Sequence, residues 1–153
     1  MDHKMKTQGE IESAVSECMG RFELEYMGRG PKDIHAFLVR DLVVVRLKGV
    51  LTAAEQHLVK ALSAEKGKDL LKQVRAHLFE QARPTLLAMV EGITAVKVLC
   101  MHHDICATLG EEVVLFSLAE APLCRELRSA APASGESSRN SHDPRRRERE
   151  VVA

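Results

Sequence analysis

The chain has no tryptophan and one tyrosine, and aromatic residues make up only 3% of its 153 residues. A surface that reads single-stranded nucleic acid by base stacking needs aromatic platforms, which this sequence does not supply. It also has no charge surplus, with 22 Lys+Arg against 22 Asp+Glu. That removes the global basic footprint of a nucleic-acid binder. No apolar run approaches the roughly 18 residues that span a bilayer, and the N-terminal MDHKMKTQGE lacks the apolar segment of a secretory leader. The expected location is the cytoplasm, where the four cysteines stay reduced. No C-x-x-C or H-x-x-x-H pair offers a zinc framework, and no G-K-[ST] follows the glycine-rich stretch.

What remains is an aliphatic chain, 45% hydrophobic, long enough for one domain. Ile11, Val15, Cys18, Phe22 and Tyr26 recur at helical spacing, with charges on the other faces. Residues 33–40 and 42–48 read as two strands joined near Arg40-Asp41, hence an antiparallel hairpin. Thr52 and Glu55 form a capping box, predicting a short helix from about Ala53 to Leu62. A break is expected around Gly67. Leu70, Leu71, Val74, Leu78, Ala82, Leu86, Met89 and Val90 then predict a long helix, broken or kinked at Pro84 and ending at Gly92. Residues 96–105 and 112–119 predict a second strand pair turning at Gly110.

The expected fold class is α+β: a two-layer sandwich, ordered helix–hairpin–helices–hairpin, with helices on a four-stranded, largely antiparallel sheet. The predicted organisation is a flexible N-terminus over 1–9, one domain over 10–122 and a disordered charged tail over 123–153. The tail is small, polar and charged, and buries too little to offset its ordering entropy. Both faces of the predicted strands carry apolar residues, so the helices would leave one face open and a homodimer is expected to cover it.

Two stretches hold candidate chemistry. In EYMGRGPKD, Gly28, Arg29, Gly30, Pro31 and Lys32 follow a helix and precede a strand, the reverse of a phosphate loop. Gly28 therefore reads as the left-handed stop of the helix and Pro31 as the block to its continuation. Arg29, between two glycines, is free to meet an anion or a carboxylate, and Lys32 lies beside it. In CMHHDIC, strand alternation places Cys100, His102, Asp104 and Cys106 on one face. Neighbours there lie about 6.6 Å apart, so four in a row do not converge on one metal. No nucleophile elbow appears, so no catalytic residue is assigned, and no cofactor is implied.

EYMGRGPKD, DLVVVRLKGVLTAAEQHL, the ARP of the long helix, GITAVKV, HHDI and VVLFSL together resemble the MpsC-like family. Its members are described as subunits of a bacterial sodium-translocating, membrane-potential-generating system. The resemblance covers about Gly9 to Leu118. It implies a cytoplasmic, non-catalytic accessory or regulatory protein tied to a cation or bicarbonate transport system, peripheral to the membrane through a protein partner. It supplies no catalytic residues. A small-ligand or anion-binding module built on the GRGPK loop is the alternative, and a metal-dependent enzyme using the CMHHDIC strand a weaker one.

Overall fold

In the computed structural model, which describes residues 4–61 and 63–126, the elements run α1 (Gln8–Tyr26), β1 (Asp33–Val39), β2 (Leu42–Lys48), α2 (Ala53–Ala61), α3 (Ala64–Thr94), β3 (Val98–Cys106) and β4 (Glu111–Leu118). The two hairpins join through their second strands. The sheet order is β1-β2-β4-β3, antiparallel throughout. The fold is the expected α+β class. The reading of a disordered tail falls, beyond Glu126, outside the described residues.

The strand alternation sorts the sheet into two faces. Ala36, Leu38, Val43, Val45, Leu47, Met101, Ile105, Val114, Phe116 and Leu118 are buried. Against them pack Ile11, Val15 and Met19 of α1 and Leu71, Phe79, Leu86 and Val90 of α3. The other face carries Phe37, Val44, Leu115 and His102 in one row across all four strands. Phe37 is 47% exposed and its neighbour Val39 57%, so the described helices leave this face uncovered.

Local rules explain the element ends. Thr7 caps α1 through a box with Glu10: the Glu10 N–H donates to Thr7 Oγ1 and the Thr7 N–H to Glu10 Oε2. Thr52 and Glu55 repeat the device before α2, as the sequence predicts. Gly28, just beyond α1, holds φ at +86°, the left-handed stop expected of it. The β1–β2 turn places Arg40, not Asp41, in the left-handed region, at φ 57°.

The long helix departs from expectation in two ways. No break occurs at Gly67, which lies in the early turns of α3. A Cβ there would come within 2.9 Å of the Leu58 carbonyl oxygen, so this glycine permits close approach of α2 rather than ending a helix. The helix continues through Pro84 without a break; the proline is exposed, leaving the carbonyl it orphans within reach of water. It passes Gly92 and stops at Ala95, which takes the left-handed conformation at φ 58° while its N–H donates to the Glu91 carbonyl.

Candidate functional site

The loop after α1 and the loop after β2 meet at one end of the sheet. Arg29 Nη1 donates to the Leu51 carbonyl at 3.0 Å, and Gln56 Nε2 donates to the same oxygen. The Lys32 N–H donates to the Lys48 carbonyl, which draws the two loops together. Gly49 sits between them at φ +65°, and a Cβ on it would lie 2.7 Å from the Lys32 side chain. Glycine is needed there both for the backbone and for the lysine that lies across it. The β3–β4 hairpin closes the far side, where the Val50 N–H donates to the Gly110 carbonyl.

These segments enclose a cleft of about 410 Å³. Four cations line it: Arg29 and Lys32 from the first loop, Lys60 from the last turn of α2 and Lys68 from α3. Among the described residues no carboxylate lines it, and Leu51, Val59 and Ala107 form an apolar wall. Of the GRGPK stretch, Arg29 and Lys32 face the cleft, whereas Gly28, Gly30 and Pro31 are not among its lining residues. A second cleft of about 600 Å³ at the helix ends has mixed charge, with Lys4, Lys6, Glu91 and Glu120 on its walls.

Behind the GVLT loop lies a set of charges that the sequence reading did not identify. Arg75 of α3 is fully buried, as are Glu23 of α1 and Glu112 of β4. The Arg75 guanidinium donates to Glu55 through Nε and Nη2, to Glu112 through Nη1 at 2.5 Å, and to the Val50 carbonyl at 3.0 Å. The Glu55 that caps α2 therefore also anchors the arginine, and Arg75 and Arg29 hold consecutive carbonyls of the same loop. Burial opposes the charge on Arg75, but the carboxylates of Glu55, Glu112 and Glu23 raise its pKa above the ordinary value.

Glu23 lies 3.8 Å from Arg75 Nη1. Burial, reinforced by the Glu112 carboxylate and only partly offset by Arg75, pushes the Glu23 carboxyl up to about 9. Ionised, neither of its oxygens finds a donor. Hydrogen bonding towards Glu112 adds to the upward shift, because it favours the protonated carboxyl. His103 brings Nε2 to 3.0 Å from Glu112 Oε1 and stacks its ring on Phe79, with centroids 3.9 Å apart.

The CMHHDIC residues are distributed as the alternation predicts. Cys100, His102, Asp104 and Cys106 follow one another along the uncovered face of the edge strand β3, opposite Ser117, Leu115, Val113 and Glu111. Cys100 Sγ and His102 Nε2 approach to 3.4 Å. Asp104 turns instead to Lys72, at 3.3 Å. Among the described residues no three His, Cys, Asp or Glu side chains gather as a metal site.

The family described as "Na+-translocating membrane potential-generating system (MpsC)" matches residues 7–120, from the cap of α1 past the end of β4. The chain belongs to the MpsC family. It is also similar to the uncharacterized protein YbcI of Bacillus subtilis (strain 168), 34% identical over 113 residues that cover 74% of this chain and 89% of that protein. No solved structure matches it. As an MpsC-family chain it has no helix, among the described residues, long and apolar enough to cross a membrane.

Proposed function

We propose that this MpsC-family chain is a non-catalytic accessory or regulatory subunit of a sodium-translocating, membrane-potential-generating system. It acts at the cytoplasmic side and is held to the membrane complex by a protein partner. The observation that carries this reading is the family match, which spans every helix and strand described. The fate of the polar residues supports it. Glu23, Arg75 and Glu112 are sealed from solvent and spent on one another and on the GVLT loop. Such a set fixes the shape of a surface without touching a substrate.

The working unit is a homodimer formed through the uncovered sheet face. Its apolar row of Phe37, Val44 and Leu115 is bordered by charges already paired within the chain, Arg46 with Glu111 at 2.9 Å. A second copy that covers this row leaves the Arg46–Glu111 pair satisfied within each chain. The test of the functional reading is removal of the chain from its native cell with measurement of the sodium-dependent membrane potential. Loss of the potential, restored when the chain is supplied again, is expected. An unchanged potential overturns the reading.

A further inference from the structure

The geometry points to the four-cation cleft as a binding site for a small oxyanion of at least two negative charges, of the phosphomonoester or diphosphate class. This goes beyond the accessory role and stands independently of it. The first ground is charge. Arg21, Arg46, Lys72, Arg83 and Arg125 each lie within 4 Å of a carboxylate. Among the described residues, none of Arg29, Lys32, Lys60 and Lys68 does. The fold draws like charges from the α1–β1 loop, α2 and α3 to one cleft, and among the described residues no acid lines it to balance them. Mutual repulsion is then relieved by a ligand, and one negative charge is too few for four cations.

The second ground is preorganisation. Arg29 is fixed by its hydrogen bond to the Leu51 carbonyl, and that loop is fixed in turn by Arg75. The remaining guanidinium N–H groups form the planar fork that suits paired oxygens, while the lysines act as mobile point charges. Gly49 lets Lys32 lie along the cleft floor. The volume of about 410 Å³ is that of a small-molecule site. Leu51 and Val59 give a short apolar part of the ligand a wall to rest on.

The same phosphate chemistry has two sources, a soluble metabolite or a lipid headgroup. Leu109 makes the second concrete: it lines the cleft from the tip of the β3–β4 hairpin and is 73% exposed. An apolar tip beside four cations is how a peripheral protein seats a phosphorylated headgroup.

The probes are inorganic pyrophosphate and vesicles of phosphatidylcholine with or without phosphatidic acid. The full chain is compared with Lys60→Gln/Lys68→Gln and with Arg46→Gln as a control on the sheet face, all checked for an unchanged melting temperature. Pyrophosphate is expected to shift the amide signals of Gly49, Leu51 and Gly110 saturably. The double variant should weaken it about tenfold or more, the scale of losing charge-assisted hydrogen bonds, while Arg46→Gln leaves it unchanged. Pyrophosphate binding without vesicle binding supports the site and assigns a soluble ligand. Sedimentation with phosphatidic acid vesicles, reduced by Leu109→Ser and by the double variant, supports the site and assigns a headgroup. The proposal is overturned if neither probe binds, if the double variant binds as well as the native chain, or if Arg46→Gln weakens binding equally.

Discussion

Glu23 and Arg75 are both fully buried and lie 3.8 Å apart, yet the Glu23 carboxyl is pushed up to about 9. The guanidinium is already committed to Glu55 and Glu112, so desolvation of Glu23 wins over its attraction to Arg75. Below the ordinary value of 4.5, folded and unfolded chains both hold the Glu23 proton. Between 4.5 and about 9 only the folded chain holds it, so this group's contribution to stability is lost as pH rises. Arg75, Glu112, Glu55 and His103 complete the set around it, so the comparison must be internal. Glu23→Gln, neutral at every pH, should match the native chain near pH 5 and become relatively more stable towards pH 9. Parallel melting-temperature profiles for the two proteins would refute the protonated Glu23.

Arg75→Met should cost about 3–5 kcal/mol in urea denaturation, because it leaves buried carboxylates unpaired. Adding Glu23→Gln and Glu112→Gln to that variant should recover part of the loss. The recovery distinguishes lost charge pairing from lost packing, since packing damage persists whatever the carboxylates become.

The fold was legible because the periods are clean, whereas this cluster was not. On α3 the buried stripe runs Leu71, Arg75, Phe79, Ala82, Leu86 and Val90, while Leu70 and Val74 are 41% and 44% exposed. The stripe read from the sequence took in Leu70 and Val74 beside Leu71 and passed over Arg75. Glu23 follows Ile11, Val15 and Met19 in phase, and Glu112 alternates with Val114, Phe116 and Leu118. Each buried charge therefore occupies a core position of its own element. That phase was the signal available in the sequence, but only tertiary packing shows that the three positions converge. Arg29 and Lys32 could be singled out as local oddities. Lys60 and Lys68, far along the chain, needed the fold to join them.

Ala95→Gly should raise the melting temperature. Ala95 sits in the left-handed region at φ 58°, where a Cβ costs about 1 kcal/mol and glycine little. Gly28→Ala, at φ +86°, should cost a similar amount in the opposite direction. Both substitutions are read by the same thermal scan. A loss of stability in Ala95→Gly would show that the glycine's added freedom in the unfolded chain outweighs the relief of strain.

Removing residues 127–153 should change the melting temperature little, because that segment has no apolar period to contribute to a core. Ending the chain at Ala119 should lower it. Pro122 is buried, Cys124 packs on the core, and the Arg125 N–H donates to the Lys6 carbonyl while its guanidinium reaches Glu10 at 3.6 Å. These contacts tie the end of the domain to its beginning. Equal melting temperatures for the two truncations would show that they add nothing.

The sheet face tests the dimer most directly. Phe37, Val44 and Leu115 align across β1, β2 and β4, and Val39 and Leu42 extend the apolar surface towards the β1–β2 turn. Soluble monomers seldom leave such a continuous patch open, and two-fold pairing is the commonest way to cover one. Light scattering after size exclusion should give about twice the 17.0 kDa chain mass. Val44→Glu and Leu115→Glu should each return the mass to that of one chain, because a carboxylate at the centre of a dry interface meets no partner. Both side chains point away from the helices, so the melting temperature of the isolated chain should survive the change. Lys66→Glu, on an exposed α3 residue away from this face, should leave the dimer intact. A single-chain mass for the native protein at micromolar concentration would rule out the pairing. A dimer that persists in both sheet variants would place the interface on a strand edge or a helix instead.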